Sequence, residues 1–325
     1  MTWMVTGGAG YIGAHIVRSL QEHGHRVVVL DDLSTGEARK VPDDVPFVQA
    51  TVLDRVAVEK ALREYDVTGV VHMAAKKAVG ESVERPIHYY RENVDGLLSL
   101  LEAMDDVGVK SMVYSSSAAT FGMPDVEMLT EEYDCRPVNP YGETKLIGEW
   151  LMNDIATASG LDWVSMRYFN VAGAGAPELG DTGIFNLIPM VFRALSRGQN
   201  PQVFGDDYAT PDGSCVRDYI HVTDLADAHV AAVDLLGNQP AETVVGTVYN
   251  VGRGEGISVK EVIDAVRQVT GLEFAVDIVG RRPGDPAALV ASADKITAEL
   301  GWSARYNLND MVASAWQAWQ AYPPA

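Results

Sequence analysis

Cysteine is nearly absent: Cys135 and Cys215 are the only two in 325 residues. Two such residues make neither a disulfide framework nor a metal-binding spacing, and they fit a reducing cytoplasm. Positive charge is also scarce, with 25 Lys and Arg against 45 Asp and Glu, a net charge of −20. That balance argues against nucleic acid or an anionic membrane as a partner. No apolar stretch is long enough to span a bilayer, and the first apolar run begins at Thr2, so neither a membrane span nor a signal peptide is expected. Internal repeats and low-complexity segments are missing. The seven histidines are scattered, His23 and His25 reading as surface residues around a glycine, and no metal site is expected. What remains is a chain of 47% hydrophobic residues, long enough for a large core in two domains.

The first apolar run, Thr2-Trp3-Met4-Val5, reads as a buried strand and Tyr11 to His23 as a helix. Between them lies Thr6-Gly7-Gly8-Ala9-Gly10-Tyr11-Ile12-Gly13, which matches G-x-G-x-x-G at Gly8, Gly10 and Gly13. A glycine turn from strand to helix lets the backbone approach a pyrophosphate, and the helix N-terminus adds N–H groups and positive dipole. A tight turn alone would also explain the glycines, so the context matters. Arg26–Leu30 is a second buried strand, and Asp31 ends it, 18 residues past Gly13. An acid there bonds the ribose hydroxyls and repels a 2′-phosphate, which favours NAD over NADP.

Apolar runs at Pro46–Val52, Gly69–Ala75, Ser111–Ser117 and Asp162–Val171 alternate with helical patterns at Asp54–Glu64, Pro86–Val107 and Pro140–Gly160. This alternation specifies an α/β fold with a parallel, doubly wound (Rossmann) sheet. Beyond about Gly173 the pattern loosens into short strands and isolated helices, as expected of a second, smaller α/β domain that takes the substrate.

Tyr141 and Lys145 lie four apart and share one helix face. Tyr141 is the only one of thirteen tyrosines with a lysine at that spacing. An ammonium near the phenol favours the phenolate, and the sequence leads us to expect a Tyr141 pKa drawn down towards neutrality. The run Ser115-Ser116-Ser117 ends a buried strand where a serine can share a hydrogen bond with substrate and tyrosine. Two of the three serines are expected merely to satisfy backbone groups. Serine, Tyr-x-x-x-Lys and a dinucleotide turn together point to redox chemistry on an alcohol carbon.

These features, with HMAAKKAVGES (His72–Ser82), YYRENVDG (Tyr89–Gly96), SSSAATFG (Ser115–Gly122), PYGETK (Pro140–Lys145), RYFNVAGA (Arg167–Ala174), VRDYIHVTDLA (Val216–Ala226) and RRPGD (Arg281–Asp285), carry a resemblance over almost the whole chain. It resembles the extended short-chain dehydrogenase/reductase family, and within it the UDP-glucose 4-epimerases. The resemblance implies an NAD-binding Rossmann domain over 1–172 and a UDP-sugar-binding domain over 173–325, part of 213–236 returning to the first. It implies Tyr141 as base, Lys145 as its cationic partner and Ser117 as shuttle to the sugar 4-hydroxyl. NAD contacts fall by the same likeness on Gly7, Gly10, Tyr11, Ile12, Gly13, Asp31, Thr51, Val52, Met73, Ala74, Lys77, Asn93, Ser115, Tyr141, Lys145 and Tyr168. Substrate contacts fall on Ser117, Asn170, Asn186, Leu187, Arg217, Tyr219, Arg282, Asp285 and Leu289. The implied reaction is the reversible epimerisation of UDP-glucose and UDP-galactose at C4 through a transient 4-keto sugar, in galactose metabolism. The alternative is an epimerase acting also or mainly on UDP-N-acetylhexosamines, UDP-hexuronic acids or UDP-pentoses. Arg217 and Arg282 answer the charge problem, since arginine grips a diphosphate through paired donors even on an acidic chain.

Some positions depart from the pattern or narrow it. Sugar-nucleotide dehydratases of this fold carry Asp-Glu after the serine or threonine, where this chain has Ala118-Ala119. Decarboxylases of the group keep the glutamate. Thr51 stands where the family has Asp, a neutral acceptor for the adenine amino group. Met73 replaces a common Phe, an apolar exchange. Leu289 stands on the sugar side, where the family varies between Tyr and small residues. Leu97, Leu98, Leu101 and Met104, with Leu146, Trp150, Leu151 and Ile155, exceed what one sheet face requires, and the resemblance makes them a homodimer's four-helix bundle.

Overall fold

A computed structural model describes residues 1–126, 128–238, 246–282 and 284–324. In chain order the elements are β1 (Thr2–Thr6), α1 (Tyr11–Glu22), β2 (Arg26–Asp31), β3 (Phe47–Gln49), α2 (Arg55–Glu64), β4 (Gly69–His72), α3 (Val79–Glu84), α4 (Pro86–Tyr90), α5 (Gly96–Val107), β5 (Ser111–Ser115), α6 (Pro140–Ser159) and β6 (Asp162–Tyr168). There follow β7 (Asn170–Ala172), α7 (Leu187–Ser196), β8 (Gln202–Phe204), β9 (Val216–His221), α8 (Val222–Gly237), β10 (Gly246–Val251), β11 (Gly256–Ser258), α9 (Val259–Thr270), β12 (Asp277–Val279), β13 (Ala288–Leu289), α10 (Asp294–Leu300) and α11 (Leu308–Ala321).

The chain divides into two compact units. The first comprises Met1–Gly122, Cys135–Arg167 and Ala226–Tyr249, and the second Met123–Asp134, Tyr168–Leu225 and Asn250–Ala325. The resemblance implies a boundary after residue 172 and a returning segment within 213–236. Here the chain changes unit at Arg167–Tyr168, the return is Ala226–Tyr249, and Met123–Asp134 leaves the first unit.

The first unit holds a seven-stranded sheet in the order β10-β6-β5-β4-β1-β2-β3. The pairings from β3 through β6 are parallel, so the doubly wound fold is the one expected. Strands β1 and β4 are buried throughout, which explains their continuous apolar runs: each face lies under helices. Chain order reverses between β1 and β4, the switch point outside which ligands bind in such sheets. The ends of these strands are tied by Thr6 Oγ1 and His72 Nδ1 at 2.8 Å. The core joins Met4, Leu30, Val58, Leu62, Val70, Leu100 and Met104.

Two sequence-read elements break where continuity was expected. Pro86–Val107 is not one α-helix: Arg91–Asp95 forms a π-turn between α4 and α5. The run Asp162–Val171 splits at Phe169 into β6 and β7, β7 pairing in parallel with β9 of the second unit. Expected strand ends at residues 50–52, 73–75 and 116–117 are loops at the carboxyl edge of the sheet, because they leave the ladder to reach the site.

Helix α6 starts with Asn139, whose side chain accepts the Gly142 N–H at 2.9 Å, followed by Pro140 at the first helical position. It ends at Gly160 in the left-handed region, φ 70°. Cap, proline and terminal glycine are all local signals, and they deliver Tyr141 and Lys145 in the first turns of the helix.

The second unit packs Ile188, Phe192, Val262, Val266, Met311 and Val312 into its own core. Its main sheet centres on β9. β11 runs antiparallel along one side, and β13 and β7 pair in parallel with successive stretches of β9. Capping boxes at Ser258/Glu261 and Asn307/Asp310 start α9 and α11.

Candidate active site

In the first unit the glycine turn is forced by geometry. Gly7 has φ +70°, and a Cβ there would stand 2.8 Å from Ala74 N. A Cβ on Gly13 would collide with the Gly7 carbonyl oxygen. Only glycine lets the β1 turn, the start of α1 and the Met73–Ala74 loop approach so closely. Gly10 occupies the capping position of α1, so no side-chain oxygen covers the helix end that Tyr11 and Ile12 open. Asp31 is buried and accepts hydrogen bonds from Ala9 N at 3.0 Å and Leu33 N at 2.8 Å. Burial pushes its carboxyl up, while these two bonds and the Lys76 ammonium pull it down. An uncapped helix end, a close-packed glycine turn and an acid at the end of β2 fit a dinucleotide.

The remaining cofactor candidates separate. Thr51 Oγ1 accepts Leu53 N at 3.3 Å. Val52 is buried in the core against Gly96 of α5, so its side chain packs the fold. Met73 and Ala74 sit half-buried beside the glycines. Lys77 is exposed. Its neighbour Lys76, which the sequence reading passed over, donates to Ser34 Oγ at 2.9 Å and acts electrostatically on Asp31. Asn93 lies on the π-turn with both amide N–H groups engaged. It accepts Lys76 N at 2.8 Å and donates to Lys76 O and Thr144 Oγ1, each at 3.0 Å. It therefore joins the 73–78 loop to α6. Tyr168, half-buried, ends β6 where the second unit begins.

Ser115, Ser117, Tyr141 and Lys145 are brought together. Lys145 Nζ donates to Ser115 O at 2.7 Å, and its ammonium lies 5.2 Å from the Tyr114 ring centroid. Burial drives the Lys145 pKa down to about 7 and that of His72, nearby, to about 3. Ser117 caps a short 3-10 turn, accepting Ala119 N at 3.1 Å, and its hydroxyl also bonds the Tyr141 phenol. The expected fall in the Tyr141 pKa is not what the structure shows. Burial pushes the phenol up, and the hydrogen bond from Ser117 is the opposing influence. The reason is desolvation, which a spacing in sequence does not reveal. Ser116 bonds a buried side chain, Glu149 Oε1 at 2.6 Å, not the backbone group expected of a bland strand-end serine.

In the second unit, Arg217, Arg282 and Asp285 converge. Asp285 Oδ1 lies 3.6 Å from Arg217 Nη2, and Oδ2 lies 3.1 Å from Arg282 Nε. One carboxylate between two guanidinium groups leaves a local excess of positive charge. Arg217 also donates to Val216 O and Pro286 O, each at 2.8 Å, and Arg282 lies 4.7 Å over the ring of Phe204. Phe204, which ends β8, was missed in the sequence because a lone aromatic at a strand end carries no pattern. Leu289 pairs with Arg217, and Asn170 with Tyr219, across adjacent strands. Burial raises the Tyr219 phenol to about 12. Asn186 and Leu187 lie at the start of α7, Asn186 Nδ2 donating to Asp181 Oδ2 at 2.8 Å.

A pH effect on stability follows from Lys145. Its folded value of about 7 lies below the ordinary 10.5, so between these values the unfolded chain holds a proton that the folded one has lost. Stability from this group therefore rises with pH above 7, by up to ~1.4 kcal/mol per pH unit. Denaturant melts of the NAD-free chain at pH 7, 8 and 9 will show the gap between wild type and Lys145→Met changing in that direction. A gap independent of pH contradicts the assignment.

Comparison with known proteins agrees with this arrangement. The family model described as NAD dependent epimerase/dehydratase family matches residues 3–252. A UDP-glucose 4-epimerase of Corynebacterium glutamicum is 44% identical over 320 residues, covering 97% of this chain and 95% of that protein. The crystal structure of UDP-glucose 4-epimerase from Brucella ovis in complex with NAD superposes with a TM-score of 0.92 at 41% identity, covering 97% of each chain. That of the Stenotrophomonas maltophila enzyme, with bound NAD and formylated UDP-arabinopyranose, gives 0.93 at 40% identity, covering 99% of this chain and 98% of that one. With a parallel doubly wound sheet, a glycine-turn cofactor site and a buried Ser-Tyr-Lys group, the chain belongs to the NAD dependent epimerase/dehydratase family.

Proposed function

We propose that the chain interconverts UDP-glucose and UDP-galactose by NAD-dependent epimerisation at sugar C4. The observation that carries this reading is the buried Ser117, Tyr141 and Lys145 group at the carboxyl edge of the first unit's sheet. Ala118-Ala119 follows it, and neither side chain can move a proton at C5 or C6 as a dehydratase requires. The names of the similar proteins, UDP-glucose 4-epimerases over nearly the whole length, support the same substrate pair.

NAD, when bound, supplies a reversible hydride acceptor for C4. The protein's own part is acid–base work and grip. Tyr141 accepts the proton of the 4-hydroxyl and returns it, and Ser117 bridges phenol and sugar oxygen. Lys145 supplies the positive charge that offsets the burial of a phenolate. Gly7, Gly10, Gly13, Tyr11 and Ile12 cradle the cofactor phosphates, Asp31 takes the ribose, and Thr51, Met73, Ala74, Lys77, Asn93, Ser115 and Tyr168 line the remainder. Arg217 and Arg282 hold the diphosphate through paired donors, aligned by Asp285. Asn170, Asn186, Leu187 and Tyr219 complete the UDP-sugar grip. Epimerisation needs a firm hold on UDP and a loose one on the hexose, so that either face of C4 can be presented.

Tyr141→Phe keeps the ring and removes only the proton-accepting oxygen. It should leave a folded, NAD-binding protein whose turnover of UDP-galactose falls by about 10²–10⁴-fold. Turnover near that of wild type refutes the reading.

Leu289 pairs in register with Arg217, which supports a position for it on the sugar side of the substrate. Its volume admits an N-acetyl group poorly, a discrimination of about 10–200-fold against UDP-N-acetylhexosamines. Leu289→Tyr should remove the slow N-acetylated activity and spare the main one, while Leu289→Ser should raise it. Equal rates for all three proteins on UDP-N-acetylgalactosamine would show that Leu289 is no gate.

A cytoplasmic homodimer belongs to the same reading. Neither cysteine is in a disulfide. Of the apolar residues expected in a four-helix bundle, Leu97, Leu101, Met104 and Leu146 are buried within the chain itself, whereas Leu98 and Trp150 are exposed on α5 and α6, with Val83 and Ile87 exposed on α3 and α4, a set of large apolar side chains suited to a second copy. Sedimentation at micromolar concentration should give twice the chain mass, and Trp150→Glu should give monomer. A monomeric wild type rules the dimer out.

A further inference from the structure

Beyond the residues that touch substrate or cofactor, the first unit carries a buried polar cluster that the reaction does not use directly. Glu149 follows Lys145 by one turn of α6 and is 5% exposed. Its Oε1 accepts from Ser116 Oγ at 2.6 Å, Arg167 Nε at 2.9 Å and Ser165 Oγ at 3.3 Å, and its Oε2 from Arg167 Nη2 at 2.5 Å. Arg167, itself buried, lies 4.9 Å over the ring of Phe121. Ser116 N is fixed from the other side by Met166 O at 2.9 Å.

The segment held by these contacts is short and consequential. Ser115 supplies the carbonyl that receives the Lys145 ammonium, and Ser117 supplies the hydroxyl that bonds Tyr141. Ser116 lies between them and is tied to Glu149. Phe121 closes the 3-10 turn that Ser117 begins and lies under the guanidinium that pairs with the same Glu149. The helix bearing the base and the strand end bearing the relay are thus clamped to each other at Glu149. Gly148 allows the close approach, since a Cβ there would collide with the Tyr114 hydroxyl.

We propose that Ser116 and the Glu149–Arg167 ion pair are positioning residues for proton transfer, setting the Ser117-to-Tyr141 and Lys145-to-Ser115 contacts together. The proposal rests on the reading of Tyr141 as the base. A buried ion pair is weak evidence of stabilisation, because replacing both members by apolar residues is often neutral for folding. Its specific value here lies in where its acceptors point. Carboxylate bonds are directional, and a displacement of about 1 Å between reacting groups can cost on the order of 10²-fold in rate.

The test uses Ser116→Ala, Glu149→Gln and the double variant Glu149→Leu with Arg167→Met, each loaded with NAD and assayed on UDP-galactose across pH 6–9. Positioning predicts kcat lower by about 10–100-fold in all three, with KM within about twofold, because the UDP grip belongs to other residues. It also predicts a displaced pH profile of kcat, since the Tyr141 and Lys145 environments move with the strand end. The double variant, which leaves no unpaired buried charge, should melt near the wild-type temperature and still turn over slowly. A double variant and a Ser116→Ala protein with wild-type kcat and pH profile overturn the proposal. Should Glu149→Gln fail to fold, Ser116→Ala decides alone. Tyr141→Phe run alongside separates the two readings: its retention of activity would remove the base assignment, whereas its loss with an unaffected Ser116→Ala removes only the positioning role.

Discussion

A lysine ammonium buried against a neutral carbonyl governs the first unit. Lys145 meets Ser115 O at 2.7 Å, and Glu149, one turn further along its helix, is already occupied by Arg167, Ser116 and Ser165. A cation with a carboxylate partner would be neutralised locally and would have little field left for a phenol. A cation with a carbonyl partner keeps its field at the cost of desolvation, which is why its pKa falls to about 7. Helix α6, the close contact of Gly148 with β5 and the serine strand end all serve to hold that charge in a dry place.

The second unit solves the opposite problem. On a chain with net charge −20, it gathers two guanidinium groups around one carboxylate. Asp285 is near enough to align both arginines and too little to neutralise them. Behind this, Asp218 is fully buried on β9 and accepts Arg253 N at 2.8 Å, Gly254 N at 3.0 Å and Ala291 N at 3.2 Å. The first two bonds tie β9 to the turn between β10 and β11, and the third ties it to the chain just after β13, beside the Arg217–Leu289 pairing.

What could be read from the sequence is what lies within one element or one turn. The glycine turn, Asp31 at the end of β2, and Tyr141 with Lys145 on α6 are of this kind, because spacing alone determines their geometry. Glu149 and Arg167 sit on different elements, and nothing in their spacing marks a pair. The direction of the Tyr141 shift does not follow from spacing because burial, a tertiary quantity, outweighs the opposing Ser117 hydrogen bond. Lys76 and Lys77 are indistinguishable in the sequence, and only the fold turns Lys76 towards Ser34 and Asp31. The break at Phe169 escaped notice because the residues on both sides suit a strand, and which sheet each half joins is decided by distant partners.

The π-turn at Arg91–Asp95 makes the helix a spliced object whose two halves obey different phases. An α-helix advances by about 100° per residue, and a π-turn accommodates one extra residue without lengthening the stem in proportion. A helical wheel drawn continuously from Pro86 to Val107 therefore misassigns faces, whereas one restarted at Gly96 puts Leu97, Leu100, Leu101 and Met104 inside and Leu98 outside. Loss of one residue from the turn would regularise the helix and rotate the upstream half by about a quarter turn, withdrawing Asn93 from both Lys76 and Thr144. In homologous chains this stretch should tolerate exchange of side chains far better than any change of length.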